Sequence, residues 1–217
     1  MKRLAWWAGG ASIVLLVTVP AWVLGSAPES DIGSLEALRR AKPSFAHETD
    51  TGGLRLKVRS GLLARQEISS HGPVPARLRI GALGVDASIV PVGVTGGTTE
   101  VPADVDHVGW YRFGGRLGVS GTTLLLAHVS SGTQGRGVFF RLRELAPRDD
   151  VVVQMRNGSL SRFRVIARRY YPKEALPARL FSVTGPEVLA LVTCGGPFSQ
   201  ATGRYEDNVV VYAISRR

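Results

Sequence analysis

Leu189-Ala190-Leu191-Val192-Thr193-Cys194-Gly195-Gly196 is the stretch on which the rest of the chain turns: an apolar run of strand length delivers a cysteine to a pair of glycines. The protein has 217 residues and 1 cysteine, so neither an intrachain disulfide nor a cysteine-rich metal site accounts for Cys194. Two readings stand at this point. The thiol is a small buried hydrophobe, as free cysteines often are, or it is a reactive group.

Working outward, a second apolar run, Thr122-Thr123-Leu124-Leu125-Leu126-Ala127, ends on His128. A cysteine thiol with a pKa of about 8.5 needs a neighbouring cation to ionise near neutrality. Histidine supplies one and can later protonate a leaving amine. Together they form a minimal acyl-transfer pair, in which the thiolate attacks a carbonyl and forms a thioester. Spacing alone does not bring them together. His107 follows Asp106 in a loop and reads as a surface residue; it is the rival to His128 as the partner of Cys194. His47 and His71 lie in a polar segment with no ligand at helical spacing, and read as solvated.

Hydrophobic content of 44% and charged content of 20% are those of a globular domain. The net charge is +10, and residues 72 to 217 hold 18 Arg or Lys against 11 Asp or Glu, Lys173 being the single lysine there. The arginines are scattered along strands with no recognition helix, aromatic RNA-binding pattern or Cys/His finger, which argues against nucleic acid. A basic face beside a membrane or an acidic wall polymer fits better.

At the N-terminus, Lys2 and Arg3 precede an uncharged run from Leu4 to Leu24, long enough as a helix to cross a bilayer. Trp6, Trp7 and Trp22 sit near its ends, and the positive start predicts a cytoplasmic N-terminus with the rest outside. A cleaved secretory signal is the competing reading, with small residues at Gly25-Ser26-Ala27. The organisation expected is therefore 1–26, cytoplasmic start and membrane anchor; 27–74, an extracellular tether; and 75–217, the folded domain. Within the tether Ser34 to Lys42 is expected to form two helical turns capped by Ser34.

From Ala76 onward strand signals recur: Arg77 to Ile80, Val85 to Val94, Thr122 to Ala127, Val151 to Gln154, Ser161 to Tyr170, Leu189 to Cys194 and Asn208 to Ile214. Asn157-Gly158 marks a hairpin, and the spacing of Phe139, Leu142 and Leu145 predicts a short helix over 138–145. Long helices between strands are missing. The expectation is all-β, a barrel or a sandwich.

The residues at the two strand ends resemble a known family. Leu191-Val192-Thr193-Cys194 resembles the signature of the sortases, and Gly195-Gly196-Pro197-Phe198 followed by Tyr205 to Ala213 is similar to the class F sortases of actinobacteria. Val108-Gly109-Trp110-Tyr111 and Ala127-His128 extend the resemblance over Pro75 to Ile214. It implies a sortase-like eight-stranded β-barrel with one or two short helices, plus an N-terminal transmembrane helix. The implied activity is that of a membrane-anchored cysteine transpeptidase, cleaving an LPXTG-like signal between Thr and Gly and passing the protein to a peptidoglycan precursor amine. No metal or organic cofactor is implied. The implied partners are secreted proteins bearing such a signal, the wall precursor and the membrane.

By the same resemblance Cys194 matches the nucleophile, His128 the general acid and base, and Thr193 the threonine that lines the site. Gly195 lets a substrate backbone approach the sulfur. The family's third residue is an arginine, and its slot falls on Asn208, which can donate hydrogen bonds but carries no charge. Arg204 shares strand parity with Asn208, and both stand as candidates. The alternatives are a class E-like sortase with another motif preference, or a non-catalytic wall-binding β-domain with Cys194 buried.

Overall fold

The computed structural model describes residues 30–40 and 72–216. Thirteen strands are formed by these residues: β1 (Ile32–Gly33), β2 (Pro75–Ile80), β3 (Val85–Val92), β4 (Val94–Thr95), β5 (Thr98–Thr99), β6 (Val108–Tyr111), β7 (Thr122–Leu126), β8 (Ser130–Ser131), β9 (Gly135–Arg136), β10 (Asp150–Met155), β11 (Leu160–Pro172), β12 (Val188–Ser199) and β13 (Arg204–Ser215). A single α-helix is described, α1 (Glu36–Arg40).

The main sheet runs β1-β11-β10-β2-β3-β6-β7-β12-β13, and β13 also pairs with β11. That last pairing closes eight of its nine strands into a barrel, with β1 added outside the ring on β11. Closure removes the free edges that an open sheet would expose. The barrel interior holds Leu78, Ile80, Leu125, Phe139, Val153, Phe163, Leu189, Leu191, Val211 and Ala213.

A second apolar cluster covers the outer face of β7, β12 and β13, where Leu124, Leu126, Val188, Ala190, Val192, Val210 and Tyr212 pack with Leu180. Leu35 and Leu38 of α1 and its lead-in lie on the same cluster. Both faces of β12 are thus buried, which is why residues 189–193 read as an uninterrupted apolar run rather than an alternating one. Part of the stretch read as a tether is docked: Ile32 and Gly33 pair with Arg168 and Ala167 of β11, and Ser34 Oγ accepts the Glu36 N–H at 3.1 Å.

The expected helix over 138–145 is replaced by turns and a 3-10 segment, Leu142–Glu144. Phe139, Leu142 and Leu145 are nevertheless all fully buried. An i, i+3 spacing is the period of a 3-10 helix as well as part of the α pattern, so the same three side chains reach the core. At Asn157-Gly158 the hairpin forms, with Gly158 at φ +83 and its N–H donating to the Met155 carbonyl at 3.0 Å. Among the described residues no helix is long and apolar enough to cross a membrane; the Leu4–Leu24 run, His47 and His71 lie outside them.

Candidate active site

Two of the barrel's neighbouring strand pairs are parallel, β3–β6 and β7–β12, the latter in register from Val188↔Thr122 to Val192↔Leu126. Parallel strands end at the same rim. The pairing continues past Leu126, because the Ala127 N–H donates to the Val192 carbonyl at 3.2 Å and the Thr193 hydroxyl donates to the Ala127 carbonyl at 2.7 Å. Carried two residues on, the register sets His128 level with Cys194, one strand spacing of about 4.8 Å away. On the other side Cys194 pairs with Asn208 of β13, and Asn208 with Tyr171 of β11. The barrel therefore lines up His128, Cys194, Asn208 and Tyr171 along one rim.

Each member of this row is held differently. Cys194 is half-buried and unbridged. Among the described residues no hydrogen bond joins it to His128; its side-chain contact is with Lys173, whose Nζ lies 2.9 Å from Sγ. Catalytic hydrogen bonds are often long before substrate binds. His128 is fixed through its backbone, its carbonyl accepting the Phe139 N–H at 3.2 Å. Gly137 packs so closely on that carbonyl that a Cβ there would overlap it. The antiparallel β6–β7 register, Gly109↔Leu126, carried on in the same way, puts His107 beside His128 and a further strand from Cys194. Its Nδ1 is 3.0 Å from an Asp104 carboxylate oxygen.

Thr193 is buried, and its hydroxyl is spent on the Ala127 carbonyl. It clamps the cysteine strand to the histidine strand. Gly195 pairs with Asp207, and a Cβ on it would run into the Val209 side chain. β12 does not stop at the glycines but continues to Ser199, with a register shift between Gly195 and Phe198.

Asn208 is buried, and its Nδ2 donates to the Lys173 carbonyl at 3.4 Å. Arg204 is exposed at the hairpin end, paired with Ser199. Four residues from Asn208, it lies about 13 Å along the strand from the level of Cys194. The structure brings Cys194, His128, Thr193, Gly195 and Asn208 together and leaves Arg204 apart. Lys173 was not among the expected site residues. Its one available signal was composition, as a lone lysine in an arginine-rich domain.

A cavity of about 140 Å³ opens beside the thiol, walled by Val129, Phe139, Phe140, Arg143, Thr193, Cys194, Gly195, Tyr205 and Val209. A larger one, about 600 Å³, lies between α1 and the far ends of β7 and β12, lined by Leu35, Leu38, Thr122, Arg179, Val188 and Tyr212. Val188 is six residues, roughly 20 Å, from Cys194 along β12. The small cavity is the one that Cys194 helps to wall. Below the larger one, burial and the hydrogen bond with Tyr171 push the Tyr212 phenol well above its ordinary range. Among the described residues no group of three or more His, Cys, Asp or Glu is placed to hold a metal ion.

The sortase domain family model matches residues 78–215. Similar solved structures include sortase C1 of GBS Pilus Island 1, 18% identical with a TM-score of 0.50, covering 65% of each chain. Sortase A from Corynebacterium diphtheriae is 18% identical with a TM-score of 0.51, over 76% of this chain and 73% of that one. Sortase C-1 from Actinomyces oris is 19% identical with a TM-score of 0.50, over 75% and 86%. The chain thus spans just under two thirds of the first of these, and at such identities the likeness is one of fold. No curated protein matches. With a family match covering most of the closed barrel and the strand ends that carry Cys194 and His128, the chain belongs to the sortase family.

Proposed function

We propose that this sortase-family chain cleaves an LPXTG-type sorting signal between Thr and Gly and transfers the acyl portion to a cell-wall amine, in the manner of the class F enzymes. The observation that supports this reading is the shared rim: parallel β7 and β12 end together, so that His128 and Cys194 stand level on neighbouring strand ends, with a small cavity walled in part by Cys194.

In the proposed sequence the Cys194 thiolate attacks the Thr carbonyl carbon and forms a tetrahedral oxyanion. Collapse breaks the C–N bond to Gly, and the departing amine takes a proton from the His128 imidazolium, leaving a thioester. An acceptor amine then attacks the thioester, gives its proton to His128, and releases the thiolate. Thr193 holds the two strand ends in register, and Gly195 lets the cysteine strand pack closely on Val209 of β13. The apolar Leu4–Leu24 run serves as the anchor, N-terminus inside and barrel outside.

Incubating the protein with an LPXTG peptide and a glycine-based amine acceptor tests the reading. Cleavage and an amide-linked product are expected, both abolished in Cys194→Ala. A peptide library varied at the second motif position distinguishes class F from class E preference. Unchanged cleavage by Cys194→Ala would remove Cys194 as the nucleophile.

A further inference from the structure

We propose that Lys173 is a catalytic residue of this site, supplying the positive charge that Asn208 lacks; the proposal rests on the reading of Cys194 as nucleophile. Its Nζ lies 2.9 Å from the Cys194 sulfur. The backbone from which the side chain reaches is held by the barrel. Lys173 is the first residue after β11, where Tyr171 and Pro172 are paired with Asn208 and Asp207. Its N–H donates to the Glu206 carbonyl at 3.2 Å, and its carbonyl accepts from the Asn208 side chain at 3.4 Å. Both ends of its peptide unit are therefore tied to β13, the strand that also pairs with Cys194.

This gives Asn208 a different part from the one its position suggests. Its amide is buried and engaged with the Lys173 backbone, so it works as a positioning residue for the lysine. The charge enters from β11, across the barrel closure, instead of from β13. A lysine ammonium is a compact charge with three donors. Beside the sulfur it favours the thiolate, and when the carbonyl carbon bonds to sulfur it is placed to donate to the oxyanion. In this step no proton passes to or from Lys173; His128 gives the proton to the leaving amine.

The charged and titratable groups around it are His128 from the end of β7, Glu174 beside it in sequence, Glu206 and Asp207 on β13, and Arg143 and Tyr205 at the cavity. Among the described residues no carboxylate forms an ion pair with Lys173, and the Asp207 carboxylate is packed against Gly196. The thiol is thus the group that the ammonium meets.

The test uses Lys173→Met and Lys173→Arg in the full chain. Lys173 is exposed, so both variants should unfold at the parent's temperature, which circular dichroism checks. In Lys173→Met, alkylation of Cys194 by iodoacetamide at neutral pH is expected to slow about tenfold and its pH–rate profile to move to higher pH, as expected when a thiolate loses an adjacent cation. The preference for anionic iodoacetate over iodoacetamide should fall with it. Peptide cleavage should lose kcat at nearly constant KM, and Lys173→Arg should recover most of both. An alkylation profile and kcat equal to the parent's in Lys173→Met overturn the proposal. Cys194→Ala separates the two levels. If that variant is inactive while Lys173→Met is normal, only the lysine role fails; if it still cleaves, the nucleophile reading fails as well.

Discussion

Replacing Thr193 by Val keeps the side-chain shape and deletes one hydroxyl. That hydroxyl donates 2.7 Å to the Ala127 carbonyl, and both residues are buried, at 4% and 3% exposure. Water cannot replace the lost donor, so the variant leaves a buried carbonyl unsatisfied, a cost of about 1–3 kcal/mol. For a domain of this size each kcal/mol moves Tm by about 2–4 °C. Taking about 2 kcal/mol, thermal unfolding followed by circular dichroism should show a drop of about 4–8 °C. Thr193→Ser is the control: it keeps the donor and loses one methyl, about 0.8 kcal/mol, and should melt between the two. Because Ala127 immediately precedes His128, Thr193→Val should also lose peptide-cleaving activity at temperatures where it is fully folded. Should Thr193→Val melt with the parent, or Thr193→Ser melt below Thr193→Val, the clamp between the cysteine and histidine strands is not what this hydroxyl provides.

Gly195→Ala pushes a methyl into the buried, β-branched Val209; overpacking of about 1–3 kcal/mol and a loss of peptide cleavage are expected, read by thermal melts and product chromatography. The Tyr212 phenol is held protonated in the fold by burial and its Tyr171 hydrogen bond. Its raised folded-state pKa gives stability that is intact below about pH 10, the unfolded value, and lost as pH climbs beyond it. Denaturant titrations in that alkaline range should show the decline, with a shallower slope in Tyr212→Phe. Leu38→Asp puts a charge on the outer apolar cluster; trypsin should then cut faster at Arg39 and Arg40 while the barrel from Pro75 onward survives.

Much of this site can be read from the chain because it is built from strand ends. Leu124 to His128 and Leu189 to Cys194 each announce an apolar strand terminating in a reactive side chain, and the parallel β7–β12 register gives that pattern its meaning. Lys173 could not be read in the same way. It lies 21 residues before Cys194, in the connection after a strand, and reaches the sulfur only because β11 closes the barrel on β13. Closure is a long-range pairing that leaves no local periodicity. The segment over 138–145 failed for another reason: three apolar residues at i, i+3 spacing satisfy two helix types, and the chain takes turns and the tighter one. Leu189 to Cys194 reads as a strand that ends at the thiol, yet β12 passes on through the two glycines by shifting register against β13.

The central claim is that Cys194 is the atom to which the sorted protein is joined. Intact-mass spectrometry after brief incubation with an LPXTG peptide, without an acceptor amine, addresses it directly. The account predicts a mass increase equal to the peptide through its Thr, mapped to Cys194 and released by hydroxylamine as a thioester should be. A chain that cleaves the peptide while Cys194 stays unmodified, or that cleaves equally well as Cys194→Ala, would contradict it.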